Sequence, residues 1–156
     1  MPSLSAAKKT VLAHKKLLVA ALLVLLVATG GVVVVLNNNA GPKLRIAGHA
    51  YHLEVSATEA QQEKGLGYRD AMPANHGMLF TYATPGQYCY WMKGMRFPLD
   101  IIWFDAQKRV VKIEQNLQPN TYPKTYCPDK SAQYVIELNA GQSAAIHLRL
   151  GQQVKF

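Results

Sequence analysis

Five side chains beyond the first third of the chain combine chemistry with an unusual setting: Arg69, Trp91, Lys93, Asp100 and Glu137. Asp100 interrupts the apolar string Leu99-Asp100-Ile101-Ile102-Trp103-Phe104, and Glu137 stands between Ile136 and Leu138. On a strand, alternation puts Leu99, Ile101 and Trp103 on one face and Asp100, Ile102 and Phe104 on the other. Both faces are apolar, so Asp100 should be at least half buried. A carboxylate in that setting is costly unless donors surround it. Backbone N–H groups, Lys93 and Arg69 are the candidates, and we expect an ionised Asp100 held by one of the two cations. Two readings follow. In the first, these residues are buried pairs and turn-holders. In the second, they form a polar cleft floored by Trp91 and edged by Arg69, Lys93, Asp100 and Glu137. Two carboxylates beside an aromatic platform suit a sugar ring, and hydrolysis of a glycosidic bond requires such a pair at a defined separation.

Sulfur chemistry offers three further readings. Cys89 and Cys127 are the only cysteines, so a single pairing exists, and outside the cytosol an even count favours a disulfide. Either cysteine could instead be a nucleophile beside His49, His52, His76 or His147. The Thr-Leu-x-Thr-Cys signature of the sortases is absent. Met72, His76, Met78, Cys89, Met92 and Met95 form a soft-ligand cluster that would suit Cu(I). His76, Met78 and Met92 are its strongest members, yet methionines inside apolar strands are ordinarily core filler. No metal and no cofactor is therefore expected. Phosphate-loop, Gly-x-Ser-x-Gly, His-Glu-x-x-His and Cys-x-x-Cys motifs are missing.

The elements that must position these groups read as strands. Residues 44–46 and 51–55 alternate apolar with polar around Ala47-Gly48-His49, a hairpin pattern. Thr58 and Gln61 have capping-box spacing, and Gly65 supplies a stop, so one short helix lies between them. Strand signals return at 78–82, 88–92, 99–104, 110–113, 134–138 and 145–150. The stretch 115–132 carries Pro119, Pro123 and Pro128 and is long for a connector. The fold expected is mainly β: a compact antiparallel barrel or sandwich with one short helix.

This domain is preceded by a membrane address. Residues 17–36 contain no charge, and as a helix they would span roughly 30 Å, a hydrocarbon core. Lys8, Lys9, Lys15 and Lys16 flank one side only, so the positive-inside bias keeps residues 1–16 cytoplasmic. Residues 37–43 form a linker, and 44–156 form the extracytoplasmic domain. A cleaved signal peptide cut at Ala28-Thr29-Gly30 is the rival reading. It would leave an apolar stretch at a new N-terminus. The chain of 156 residues holds 17 Lys+Arg and 9 Asp+Glu, a formal charge of +8, but four of the lysines belong to the N-terminal tag. With no basic run in the remainder, no nucleic-acid partner is expected. At 49% hydrophobic, the composition excludes a disordered chain.

Five strings occur in one order: Gly65-Leu66-Gly67-Tyr68-Arg69, His76-Gly77-Met78-Leu79-Phe80, Tyr90-Trp91-Met92-Lys93, Pro98-Leu99-Asp100-Ile101, and Tyr134-Val135-Ile136-Glu137-Leu138 followed by Gly141. Over about residues 44–156 the chain resembles the domain-of-unknown-function family numbered 192. That family shows Gly-Leu-Met-x-Arg, Gly-Met-Leu-Phe, Phe-Trp-Met-Lys-Asn-Thr, Pro-Leu-Asp-Ile and a late Glu-Leu followed by Gly. The resemblance implies a small β-rich domain, often exported or membrane-tethered, and brings no activity with it. Gly67 stands where the family has Met, and Gly94-Met95 replaces Asn-Thr. The expectation is thus a single-pass envelope protein whose outer domain is a binding or accessory module for a glycan or a protein partner. A glycan hydrolase using Asp100 and Glu137 is the alternative, and a Cu(I)-binding envelope protein a further one.

Overall fold

The computed structural model describes residues 41–156. The basic tag 1–16 and the stretch 17–36 that was expected to span a membrane lie outside the described residues, as does most of the linker. Among the described residues no helix is long and apolar enough to cross a membrane.

Strands β1 (Lys43–Ile46) and β2 (His49–Ser56) form the expected hairpin. Ala47 and Gly48 both have positive φ, as a two-residue hairpin turn that matches strand twist requires. Helix α1 (Glu59–Lys64) starts at the Thr58–Gln61 capping box, and Gly65 ends it at φ 48°. β3 (His76–Gly86) then pairs parallel to β2, with α1 in the crossover. β4 (Tyr90–Trp91), β5 (Leu99–Phe104), β6 (Val110–Leu117), β7 (Thr125–Tyr126), β8 (Ala132–Asn139) and α2 (Gln142–Ala145) follow.

Six strands make one sheet in the order β1-β2-β3-β8-β5-β6, and β4 with β7 makes a separate ribbon. This corrects the expected barrel or sandwich. The sheet is open, because β1 and β6 remain its edges. One pair is parallel, because a helix rather than a hairpin joins β2 to β3. A second short helix, α2, occupies the start of the stretch 145–150 that was expected as a strand. Ile146 and Leu148 are buried there as alternation requires, but a helical turn and a left-handed His147 (φ 52°) deliver them. The expected strand at 88–92 shortens to Tyr90–Trp91.

Directly opposed residues in neighbouring strands share a face. Met78 faces Glu137, and Glu137 faces Ile101; with Phe80, Val135, Leu99 and Trp103 they form the first face. Leu66, Met92, Tyr90 and Tyr126 cover it, so the β4–β7 ribbon is its lid. Leu79, Ile136, Leu138, Ile102 and Phe104 form the second face, covered by Leu44, Tyr51, Ile146, Leu148 and Val154. β5 is therefore buried on both sides along its whole length. Cys89, just before β4, is bonded to Cys127, just after β7. The bridge pins the proline-rich connector, within which β7 and a 3-10 turn at Pro119–Thr121 supply local order.

Candidate functional site

Asp100 is fully buried on the second face, and four donors converge on it. Oδ1 accepts the backbone N–H of Asn116 at 2.8 Å and of Gly141 at 3.0 Å. Oδ2 accepts the Ser143 N–H at 2.8 Å and the Ser143 hydroxyl at 2.7 Å. The local backbone explains the convergence. Leu99 opposes Leu117 and Ile101 opposes Glu114, so Gln115 and Asn116 together oppose Asp100 in a β-bulge. Asn116, at φ 54°, donates its N–H to the carboxylate instead of the ladder. From the other side, the left-handed Gly141 turns the chain into α2, whose first N–H groups would otherwise lack partners. Ser143 is buried as well and accepts the Gln115 amide at 2.9 Å on its own oxygen. Asp100 thus ties β5 to the β6 bulge and to the turn after β8. Buried it is, as expected, but the expected cation is absent: Arg69 and Lys93 do not touch it.

Glu137 lies on the opposite face. The pairings Asp100 with Leu138 and Ile101 with Glu137 place the two carboxyl groups on either side of one sheet. No single glycosidic bond can lie between them, so the hydrolase reading built on that pair loses its geometry. Glu137 is only 5% exposed, and its Oε2 has no hydrogen-bond partner. It forms the inner wall of a cavity of about 190 Å³ lined by the α1–Gly67 corner, Phe80, Cys89, Tyr90, Trp91, Lys93 and Met95. Burial raises its pKa to about 8, against an opposing pull from the Arg69 guanidinium. Near neutrality the group is therefore mostly a neutral acid that can donate a hydrogen bond.

Arg69 itself is engaged elsewhere, in a two-pronged ion pair with Glu54 on β2, both contacts 2.8 Å. That hydrogen-bonded pairing lowers the Glu54 pKa and raises that of Arg69. Trp91 remains 42% exposed at the cavity, with the Lys93 ammonium 6.0 Å from its ring centroid. Deeper in, the Tyr90 hydroxyl lies 2.9 Å from that of Tyr82, and desolvation raises the pKa of both phenols. The structure therefore gathers Trp91, Lys93 and Glu137 at one cavity, brings Arg69 within electrostatic reach, and sets Asp100 apart.

The sulfur readings resolve by the same geometry. Both cysteines are consumed in the disulfide, so neither is a thiol nucleophile or a metal ligand. Met78 and Met92 are buried in the first-face core, and His76 stacks against His52 with ring centroids 5.5 Å apart. Met72, Met78 and Met92 thus pack as part of one apolar core, the role expected of methionines inside strands. Sequence reasoning missed the contribution of the α1 corner, where Lys64 and Gly65 form part of the cavity wall. The adjacency of Gly65 to Glu137 was not readable, because the two lie in the first and the last of the five strings. A Cβ on Gly65 would lie 3.8 Å from Glu137 Oε2, which shows how closely the loop roofs the acid.

Comparisons with known proteins agree with this architecture. No curated protein matches the chain. A protein of unknown function from Novosphingobium aromaticivorans is similar in structure, with a TM-score of 0.67 and 28% identity, the match covering 73% of this chain and 82% of that one. A Sinorhizobium meliloti protein described as a candidate transcription regulator is similar at the same TM-score and identity, covering 72% of this chain and 89% of that one. Residues 42–156 match the DUF192 family, described as an uncharacterized ACR. The order of the five strings, the sheet they build and that match over most of its length agree: the chain belongs to the domain-of-unknown-function family 192.

Proposed function

We propose that this protein is a binding module of the cell envelope, with its N-terminus cytoplasmic, residues 17–36 in the bilayer and the domain outside, and that its cavity takes a sugar ring of an envelope glycan. The observation that carries the reading is the Glu137 carboxyl: buried, with an oxygen that no protein donor or acceptor satisfies, in the wall of an open cavity. Buried polar groups are nearly always partnered, so a carboxyl left without a protein partner in a cavity wall supports the reading of that cavity as a binding site. A sugar supplies what the walls lack. Its hydroxyls can both accept from and donate to the Glu137 carboxyl, and its apolar C–H face fits the partly exposed Trp91 ring. The cavity has room for one small ring, not for a protein side. A single carboxylic acid favours recognition over hydrolysis, because Asp100 is on the far face of the sheet.

The test is a glycan-binding screen of the full-length chain in mild detergent, alongside Glu137→Gln and Trp91→Ala. Retention of an envelope glycan by the native chain, with at least tenfold weaker binding in both variants, is the expected result. No retention of any glycan, or retention that both variants share, rejects the reading.

A further inference from the structure

Around the mouth of the Glu137 cavity stand two lysines, Lys64 at the end of α1 and Lys93 after β4. Both are exposed, and among the described residues neither takes part in an ion pair. Glu63 is the one rim carboxylate, so the mouth is net positive while the inner wall carries an uncompensated acid. The same Glu63, Lys64 and Lys93 continue into an adjoining hollow of about 250 Å³, walled by Ala60 and by Tyr68. Tyr68 is 63% exposed and held in place by the loop beneath it. Its N–H donates to the Gly94 carbonyl at 2.8 Å, and Gly94, at φ 70°, leaves room for the ring where a Cβ would stand 2.9 Å from it. The site is therefore two linked depressions with a cationic ridge between them and an aromatic ring at each, Trp91 in one and Tyr68 in the other.

Resting on the sugar-binding reading above, we propose that the ligand is the end of an acidic glycan: a terminal sugar bearing a carboxylate, its ring in the Glu137 cavity and its anionic group between Lys64 and Lys93, with the next residue along Tyr68. A neutral sugar would leave the net positive charge of the mouth unmatched, since Glu63 is its only carboxylate against Lys64 and Lys93. A small anion without a ring would leave the aromatic walls and the Glu137 carboxyl unused. Charge complementarity at the mouth favours the acidic partner and disfavours cationic or amino sugars.

Calorimetric titration of the full-length chain in mild detergent tests this with three matched pairs: glucuronic acid with glucose, galacturonic acid with galactose, and N-acetylmuramic acid with N-acetylglucosamine. At least one acid should bind tenfold or more tighter than its neutral partner at pH 6.5 and low salt. The preference should fall below twofold in the Lys64→Gln/Lys93→Gln double variant and shrink as salt rises. Tyr68→Ala should weaken a disaccharide of the preferred acid and not its monosaccharide. Equal binding within every pair, or a preference that survives the double lysine variant, overturns the acidic-glycan proposal and leaves the sugar-binding reading in place. Absence of binding by all six sugars overturns both.

Discussion

Replacing Glu137 by Gln keeps the size of the side chain and removes its charge, and its effect on stability has a calculable pH dependence. In the folded chain the acid ionises near pH 8, against 4.5 for an ordinary glutamate, because burial penalises the carboxylate more than Arg69 stabilises it. Between those two values the unfolded chain releases a proton that the folded chain keeps. Folding stability from this group therefore falls as pH rises, by about 1.4 kcal/mol per pH step and roughly 4–5 kcal/mol in all, levelling off above pH 8. The groups facing Glu137 do not reverse that sign. Met78 and Ile101 oppose it on the neighbouring strands, Tyr82 and Tyr90 ionise at higher pH still, and Arg69 stays charged and paired with Glu54. Urea denaturation followed by tryptophan fluorescence, run on wild type and Glu137→Gln from pH 4.5 to 9, isolates the group as a difference curve. The amide contributes a constant offset, so the variant should gain about 4–5 kcal/mol relative to wild type across the range while losing ligand binding. Such a gain at the cost of binding is the pattern of a residue retained for function. A flat difference curve would show that Glu137 is either solvated or paired, and would remove the basis of the site.

Asp100→Asn should act in the opposite way. One of its two oxygens becomes an NH₂ facing donors, so a loss of roughly 3–5 kcal/mol is expected from broken charge-assisted bonds, read as a lower urea midpoint with no selective loss of ligand affinity; a variant as stable as wild type would refute the four-donor account. Reducing the Cys89–Cys127 bond releases a loop of 38 residues and should lower stability by about 3–4 kcal/mol, checked by denaturation of the Cys89→Ser/Cys127→Ser double variant. Thiol labelling of unreduced, denatured protein taken from cells should detect no free cysteine. A C-terminally tagged full-length chain should remain in carbonate-washed membranes, and recovery as a soluble species cut near Gly30 would reject the anchor proposed at 17–36.

Much of the local structure was legible because local physics determines it. The hairpin at Ala47-Gly48, the Thr58–Gln61 cap, the Gly65 stop and the apolar strand around Asp100 each depend on residues close in sequence. The Cys89–Cys127 bond was legible because no other pairing existed. The parallel β2–β3 pairing was not, since period-two alternation carries no strand direction. The stretch 145–150 misled for a related reason: an alternating apolar pattern states which side chains are buried, not whether a strand or a kinked helical turn buries them. At the site, the burial of Asp100 could be read and its partners could not. Three of its four donors are backbone N–H groups whose orientation depends on a bulge at Asn116 and a left-handed Gly141, the fourth is the Ser143 hydroxyl, and no residue identity announces that role. Separating Asp100 from Glu137 required the register of β5 against β8, and a shift of one residue would have placed them together.

The central place of β8 governs the order in which the molecule can be assembled. β8 lies between β3 and β5, yet it is the last of the eight strands in the chain. Until residues 132–139 have been synthesised, β3 and β5 each lack a neighbour along one edge, and the Glu137 wall of the cavity does not exist. The pairings that complete the sheet join segments tens of residues apart, which makes closure slow relative to a domain built from hairpins alone. A chain emerging from a ribosome or a translocation channel would present two adhesive, unpaired edges for most of its synthesis. Premature termination before β8 should yield an insoluble product instead of a partly active one. A late central strand thus acts as a timer that delays completion of the sheet until nearly the whole domain has been made.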